Sequence, residues 1–253
     1  MGKRLWHELP SESVIFGASK RMLELRRQLT RVAVTNLPIL LRGESGVGKS
    51  LLSRYIHSYL SMNRGWYLRY RCPIMPSTAM DSLLLAIPAA YRSHEGDCSE
   101  DASERVSTLF LDEIGLLGSE PQVRLLHGLS EVDGLGRGTR LRIVCSTTGD
   151  LRRTVRLGKF RKDLFYRLAV FTFDIPPLRS RLHDLSVIAN YLLDYFSRRF
   201  GAPAQPFPGK LLERLHDYEW PGNIRELKRF VCRYVASGST ELPARLEEEL
   251  FQP

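Results

Sequence analysis

The sequence predicts an α/β fold in which a parallel sheet is followed by a smaller helical domain. Three short apolar runs support this prediction, at 37–42, 107–111 and 141–146. Each run ends in glycine-rich or polar residues, as expected of buried parallel strands whose carboxyl ends meet at one ligand-binding edge of a sheet. After the first run, apolar residues recur at helical spacing from Lys49 to Met62, which indicates a strand, a loop and a helix in succession.

The pattern changes after Ile175-Pro176-Pro177, where strand-like runs stop and helical periodicity takes over. Three helices are expected in this part of the chain, over roughly 183–200, 208–217 and 223–236. The domain boundaries that follow are an α/β core over 12–177, a helical lid over 178–238 and a C-terminal tail over 239–253.

The composition is that of a folded protein with an excess of positive charge. Of 253 residues, 43% are hydrophobic, 26% are charged and 9% are aromatic, and the formal net charge is +9. These proportions exclude intrinsic disorder for most of the chain. The longest purely apolar run, Leu83 to Ile87, is far shorter than the ~20 residues of a membrane helix, so we expect a soluble cytoplasmic protein without membrane contact. The four cysteines are widely spaced and lack the spacing of a zinc site or a disulfide framework.

The segment Gly43–Ser50 fits the phosphate-binding pattern GxxxxGK[ST] between a buried strand and the start of a helix. Its glycines allow successive backbone N–H groups to surround a phosphate, and the helix N-terminus favours the negative charge. In this pattern Lys49 reaches the β- and γ-phosphates, and the Ser50 hydroxyl binds Mg²⁺. The residues expected to contact the phosphates are Gly43, Glu44, Ser45, Gly46, Val47, Gly48, Lys49 and Ser50.

Two adjacent carboxylates, Asp112 and Glu113, follow the second apolar run. We expect Asp112 to hold Mg²⁺ and its water shell, and Glu113 to orient and deprotonate the attacking water. Acidic pairs often merely end strands, so this pair gains its significance from the phosphate-binding segment that precedes it in the chain.

Five short sequence motifs, taken together, resemble those of one protein family. They are Gly43–Ser50, Leu109–Gly115 (LFLDEIG), Phe160–Leu168 (FRKDLFYRL), Ile175–Arg179 (IPPLR) and Trp220–Leu227 (WPGNIREL). In combination they resemble the AAA+ ATPase domain of bacterial sigma-54-dependent transcription activators, the enhancer-binding proteins. The resemblance covers the chain from about Phe16 to Ala236. It implies a P-loop AAA+ core of three α/β/α layers with a helical lid, ATP and Mg²⁺ as ligands, and a ring, expected to be a hexamer, that acts on the bacterial transcription machinery.

The resemblance also implies roles for residues outside the phosphate-binding segment. Thr148 stands at the sensor position, where the family commonly has asparagine, and its hydroxyl is able to hydrogen-bond the γ-phosphate or the attacking water. Arg161 and Arg167 match two arginines that reach across a subunit boundary toward the neighbour's γ-phosphate. Further nucleotide contacts are implied for Phe16, Gly17, Leu51 and the lid arginine Arg225.

One departure from the family concerns the loop that contacts the sigma factor, which in the family contains the string GAFTGA. Between Ala86 and Thr108 this chain has IPAAYRSHEGDCSEDASERVS instead, which is acidic and has no phenylalanine. His94 to Glu104 alone includes five carboxylates, and burying them unpaired against another protein is unfavourable. We therefore expect no direct remodelling of sigma-54.

A second departure is Arg71, which replaces an asparagine that restrains the catalytic glutamate in the family. Two alternatives are open for this residue. Either Arg71 pairs with Glu113 and makes that carboxylate a weaker base, or Arg71 points to solvent.

The excess positive charge is concentrated between Arg137 and Arg167, a segment that contains ten Lys and Arg residues but only two Asp residues. A basic stretch of this kind binds nucleic acid or an anionic dinucleotide in some proteins, but it is also usual around an ATP site shared between subunits. No aromatic interleaving or groove-reading helix accompanies the charge, so any contact with DNA is expected to be indirect.

These observations predict an ATP-binding, ATP-hydrolysing AAA+ regulator of transcription that does not remodel sigma-54 directly. One alternative is a nucleotide-responsive regulator or scaffold with little ATPase activity, which binds DNA, protein or an anionic dinucleotide. Another is an ATPase whose altered loop remodels a different protein.

Overall fold

A computed structural model describes residues 9–61, 65–74, 107–134, 141–201 and 205–237 of the chain. The acidic stretch 94–104, the basic residues Arg137 and Arg140, and the predicted tail 239–253 lie outside the described residues.

The described strands form one parallel sheet. In chain order they are β1 (Ile39–Arg42), β2 (Tyr67–Arg71), β3 (Ser107–Asp112), β4 (Leu141–Thr147) and β5 (Phe171–Asp174). Their order across the sheet is β2-β3-β4-β1-β5, and every neighbouring pair runs parallel. This arrangement brings the carboxyl ends of the three predicted strands, β1, β3 and β4, to one edge of the sheet.

The helices of the described residues precede, connect and follow these strands. They are α1 (Glu12–Phe16), α2 (Lys20–Ala33), α3 (Lys49–Ser61), α4 (Ser119–Gly134), α5 (Leu151–Arg156), α6 (Lys162–Leu168), α7 (Leu185–Phe200), α8 (Gly209–Asp217) and α9 (Asn223–Ala236). None of the helices in this described part combines the length and the apolar character that crossing a bilayer requires.

Two compact units divide the chain. The sheet unit consists of Gln28–Arg42 and Lys49–Asp174, whereas the lid unit consists of Met1–Arg27, Gly43–Gly48 and Ile175–Pro253. The phosphate-binding segment therefore groups with the C-terminal helices as far as Gly48, and its last two residues begin α3 in the sheet unit. The boundaries near 177 and 238 expected from the sequence remain a prediction.

The core of the sheet unit lies on the apolar strands. Every residue of β3 is buried, and Leu109, Phe110 and Leu111 are fully so. Side chains from the helices around the sheet complete this core, among them Leu125, Leu164 and Leu168. The burial accounts for the uninterrupted apolar run in the sequence, because a strand covered on both faces does not alternate polar and apolar residues.

The core of the lid unit lies between α7, α8 and α9. Trp220 is fully buried, and its indole N–H donates to the Leu215 carbonyl at 2.9 Å. Leu227, Phe230 and Val231 of α9 are buried in the same cluster at helical spacing. The three helices expected from periodicity are thus present, and α9 has the predicted bounds.

Two strands, β2 and β5, were not among those the apolar runs predicted. β2 (YLRYR) contains two arginines among aromatic and aliphatic residues and is only partly buried at one edge of the described sheet. β5 (FTFD) has four residues, of which only Phe173 is buried. Short, half-exposed edge strands lack the continuous apolar signal of central ones, which explains why they were missed.

Arg142, one of the cations of the basic stretch, lies in the interior of the sheet unit. Its side chain is fully buried at the start of β4. The guanidinium donates to the carbonyls of Ala33 at 2.7 Å, Thr35 at 2.8 Å and Ile56 at 3.2 Å. Burial lowers the pKa of Arg142 to about 10. This cation therefore holds the C-terminal end of α2 and the middle of α3 against β4 and does not face solvent.

Replacing Arg142 by alanine is expected to lower the free energy of unfolding by about 2–4 kcal/mol, because two buried carbonyls and one part-buried carbonyl lose a donor. Urea denaturation followed by circular dichroism measures this change. The control is Arg152→Ala on α5, whose exposed side chain belongs to the same basic stretch and whose loss should change stability by less than about 0.5 kcal/mol. Equal stability of the two variants would contradict the structural role of Arg142.

Candidate functional site

The acidic pair lies where β3 ends. Asp112 is the last residue of the strand, and Glu113 follows it in a left-handed conformation with φ 59° and ψ 53°. A residue with a side chain rarely adopts this conformation, which costs about 1–3 kcal/mol and persists only where other contacts fix it. The turn brings the Glu113 carboxylate to the carboxyl edge of the sheet.

The Ser146 hydroxyl fixes this turn. Ser146 is fully buried on the neighbouring strand β4. Its Oγ donates to Oδ1 of Asp112 at 2.6 Å and accepts the backbone N–H of Glu113 at 3.0 Å. One hydroxyl therefore orients the first carboxylate and holds the backbone of the second residue. Sequence analysis did not identify Ser146, because a serine within an apolar run gives no signal of its own.

The Glu113 carboxylate is held by residues from two other elements. Lys49, the first residue of α3, places its ammonium 3.2 Å from Oε1 and is itself 6% exposed. Thr148 donates to Oε2 twice, through its backbone N–H and its hydroxyl, both at 2.9 Å. Four residues singled out from the sequence thus lie close together in this site: Lys49, Asp112, Glu113 and Thr148.

The possible pair between Arg71 and Glu113 is not formed. Arg71 is exposed at the end of β2, and the partners of Glu113 among the described residues are Lys49, Thr148 and Ser146. The second alternative considered for Arg71, exposure to solvent, is the one observed.

A neighbouring arginine, Arg69, contacts the acidic pair instead. Its guanidinium forms an ion pair with Oδ2 of Asp112, the oxygen that Ser146 does not contact. The same guanidinium lies 5.9 Å from the centroid of the Phe110 ring. Arg69 was not singled out from the sequence, because only Arg71 stands at the position where the family has the asparagine.

Ser50 and Asp112, the predicted Mg²⁺ ligands, offer a hydroxyl and a carboxylate, the hard oxygen donors that Mg²⁺ prefers. The site therefore fits a magnesium ion that keeps several of its own waters and is bound through few protein groups. No cluster of three or more His, Cys, Asp or Glu able to bind a metal occurs among the residues that the structure describes. Leu51, which follows Ser50 in α3 and for which a nucleotide contact was implied, is half-buried, and that contact remains a prediction.

The lid unit holds the phosphate-binding segment through charged and amide contacts. Arg179 donates to both carboxylate oxygens of Glu44, at 2.8 and 2.5 Å. The buried Asn223 amide donates to Glu44 Oε2 and to the Ser45 carbonyl, both at 3.1 Å. The Arg179 guanidinium, with the Asn223 amide second, lowers the pKa of Glu44 to about 2. Arg225 donates to the Ser45 hydroxyl at 2.6 Å, which places the predicted lid arginine on this segment.

Gly46 is required by this packing. Its φ is 83°, and a Cβ added there would lie 2.2 Å from the Gly222 carbonyl oxygen. The WPGN string and the phosphate-binding segment therefore meet at a position where only glycine fits.

Phe16 and Gly17 lie in a separate part of the lid unit. Phe16 is fully buried, and Gly17 has a φ of 63° with no room for a side chain beside Asp184. The buried Asp184 accepts the backbone N–H groups of Ala18 at 2.7 Å and Ser19 at 2.9 Å. These contacts give the segment a structural role, and the predicted contact with a nucleotide remains a prediction.

Arg161 and Arg167, the two predicted intersubunit arginines, lie on or next to α6. Arg161 caps the helix, is exposed and pairs with Asp163, and its backbone N–H is accepted by the buried Gln122 at 2.8 Å. Arg167 is half-buried and donates to the Ser130 hydroxyl at 3.0 Å. Neither arginine is among the partners of Asp112 or Glu113 in the described part of the chain.

Comparison with known families gives two matches that together span most of the chain. The family described as Sigma-54 interaction domain matches residues 15–174, and the family described as AAA+ ATPase lid domain matches residues 179–252. The first match includes the region that lacks the GAFTGA string.

Curated relatives are bacterial transcription regulators. The DNA-binding transcriptional regulator NtrC of Azospirillum brasilense is 35% identical over 243 residues, which cover 93% of this chain and 50% of that protein. The hydrogenase transcriptional regulatory protein HoxA of Cupriavidus necator is 37% identical over 224 residues, covering 83% and 45%. The chain thus spans about half the length of the curated relatives it matches.

Solved structures have the same fold. NtrX from Brucella abortus in complex with ATP superposes with a TM-score of 0.74 at 28% identity, covering 93% of this chain and 55% of that one. Domain III of the Thermotoga maritima replication initiation protein DnaA has a TM-score of 0.60 at 17% identity, covering 96% and 98%, and this likeness shows the fold alone. The predicted P-loop AAA+ fold with a parallel sheet and a helical C-terminal region is confirmed.

Proposed function

The chain belongs to the sigma-54 interaction domain family of AAA+ proteins, and from this premise we propose that it binds ATP with Mg²⁺ and hydrolyses it to regulate transcription. The observation that supports the proposal best is that Lys49 and Thr148 both contact the carboxylate of Glu113, the residue that directly follows Asp112. This reaction needs three groups: a cation that binds phosphate, a carboxylate that holds the metal shell and a carboxylate that orients the attacking water.

Each residue has a distinct role in the proposed reaction. Backbone N–H groups of Gly43–Gly48 bind the phosphates, and Lys49 binds the β- and γ-phosphates. Ser50 and Asp112 would hold Mg²⁺, and the bound ion would supply positive charge near the transferred phosphoryl group. Glu113 accepts the proton of the attacking water, while the Thr148 hydroxyl keeps the Glu113 carboxylate in place.

The ion pair of Lys49 with Glu113 links binding to chemistry. Lys49 is almost fully buried, so its charge is shared between the Glu113 carboxylate and any phosphate that enters. When the triphosphate attracts Lys49, the Glu113 carboxylate is released from the ammonium and keeps its two hydrogen bonds from Thr148.

Arg161 and Arg167 complete the site of a neighbouring copy in this proposal. An arginine stabilises the charge of the phosphoryl-transfer transition state when it is supplied by a second subunit. The active form is then a ring, which we take to be a hexamer in the bacterial cytoplasm.

A second candidate function is that of a nucleotide-responsive regulator with little ATPase activity. The contacts of the acidic pair favour it, because Lys49 and Thr148 hold Glu113 while Arg69 and Ser146 hold Asp112. Both carboxylates are thus engaged by protein groups. In this case binding of ATP is retained, and turnover stays low even in the ring.

Lys49→Ala should weaken ATP binding at least tenfold, about 1.4 kcal/mol, whereas Glu113→Gln should keep the affinity and lose turnover. Isothermal titration calorimetry and phosphate release measure the two effects. Lys159→Ala, which removes an exposed cation of the sheet unit, is the control and should resemble the wild type. Equal affinity in wild type and Lys49→Ala would contradict the phosphate-binding assignment, and measurable binding without turnover would select the second candidate function.

Turnover per subunit should rise steeply with protein concentration, because a site is complete only when a neighbour supplies its arginines. An Arg167→Ala protein mixed with a Glu113→Gln protein should recover part of the activity that each lacks alone. Phosphate release with parallel light scattering tests both expectations. Constant specific activity down to monomeric protein would exclude the shared site.

ATP-dependent open complexes on a sigma-54 promoter should not form with this protein, because the acidic 94–104 stretch replaces the apolar and small residues of GAFTGA. The assay is permanganate footprinting with concentrated protein and ATP, with an intact family member as the positive control. Open complexes that require this chain and ATP would refute the loop argument and indicate that another surface contacts the factor.

A further inference from the structure

Asp112 has protein partners on both of its carboxylate oxygens. The Ser146 hydroxyl donates to Oδ1 at 2.6 Å, and the Arg69 guanidinium forms an ion pair with Oδ2. The carboxylate that is expected to hold the metal shell is therefore already neutralised by a cation of the chain itself.

Arg69 is well placed to keep this contact. Its side chain is 39% exposed, and its guanidinium lies over the Phe110 ring, which is fully buried in β3. In the parallel pairing of β2 with β3, Arg69 is opposite Phe110, so its side chain reaches along the strand to Asp112. Contact with an aromatic face and with a carboxylate at once limits the conformations of the guanidinium.

The position of Arg71 shows that the contact is selective. Arg71 is opposite Asp112 in the strand register, yet it is exposed and Asp112 pairs with Arg69. Of the two arginines on this strand, the one that lies over the Phe110 ring is the one that forms the ion pair with Asp112.

We propose that Arg69 is a positioning residue that occupies Asp112 in place of a metal ion and makes nucleotide binding less dependent on Mg²⁺. The inference rests on the proposed function, since it concerns the same nucleotide site. Without metal, Arg69 cancels the negative charge of Asp112, which would otherwise repel the triphosphate. With metal, the positive charge of Arg69 opposes the approach of Mg²⁺ to the same carboxylate.

Arg69 is expected to strengthen nucleotide binding without metal and to weaken metal binding. These two affinities are measured separately. The probe is the non-hydrolysable analogue β,γ-imido-ATP, whose affinity is determined by calorimetry in EDTA and in excess Mg²⁺. Mn²⁺ replaces Mg²⁺ in a second titration, in which electron paramagnetic resonance counts the free metal at saturating analogue. Both readouts report binding and do not depend on turnover.

Arg69→Gln should weaken analogue binding in EDTA and strengthen Mn²⁺ binding, each about fivefold, as expected for loss of one half-exposed charge near the site. Arg69→Met keeps the packing on Phe110 without the charge and should give the same two shifts. Arg69→Lys retains the charge and should stay closer to the wild type. Arg71→Gln is the matched control, which removes an equal charge from the same strand and should change either affinity less than twofold.

Identical shifts in Arg69→Gln and Arg71→Gln would overturn the inference, because a general change of charge would then explain both. Unchanged affinities in Arg69→Gln and Arg69→Met, with wild-type melting temperatures, would overturn it as well. Failure of the wild type to bind the analogue under any condition would instead refute the proposed function, and the two failures are therefore distinct.

Discussion

The Ser146 hydroxyl joins the two acidic residues at the end of β3, and the geometry of the carboxyl edge depends on this single group. As a donor it orients Asp112, and as an acceptor it satisfies the backbone N–H of Glu113 in a left-handed turn. The left-handed turn then directs the Glu113 carboxylate to Lys49 and Thr148. A buried hydroxyl with both its donor and its acceptor used is stable in an apolar sheet, whereas either bond alone would leave a polar atom unpaired.

The parts of the fold that the sequence predicted are those with a continuous local signal. The three apolar runs correspond to β1, β3 and β4, and the helical periodicity after 177 corresponds to α7, α8 and α9. The phosphate-binding pattern and the acidic pair at the end of β3 were also recognisable, since each consists of residues adjacent in sequence. β2 and β5 were missed because their burial depends on their place at the edges of the described sheet.

Contacts across strands could not be predicted, because they depend on register and on burial. The sequence suggested a pair of Arg71 with Glu113, yet the arginine that contacts the acidic pair is Arg69, through Asp112. In the same way, Arg142 belongs by sequence to a basic stretch but is enclosed by backbone carbonyls of α2 and α3 and the segment after α2. The WPGN string identified the family, but its effect on Glu44 and Ser45 became visible only through the amide of Asn223.

The arginines of β2 have a consequence for the behaviour of the folded protein in concentrated solution. Among the described strands, β2 is an edge strand of the sheet. Its residues Leu68, Arg69 and Arg71 are exposed. An open border strand is able to pair with the same strand of another molecule and so to start aggregation. Two positive charges spaced two residues apart oppose such pairing, since a second copy would bring like charges together. Protection against this pairing and the setting of the acidic pair thus involve the same short strand.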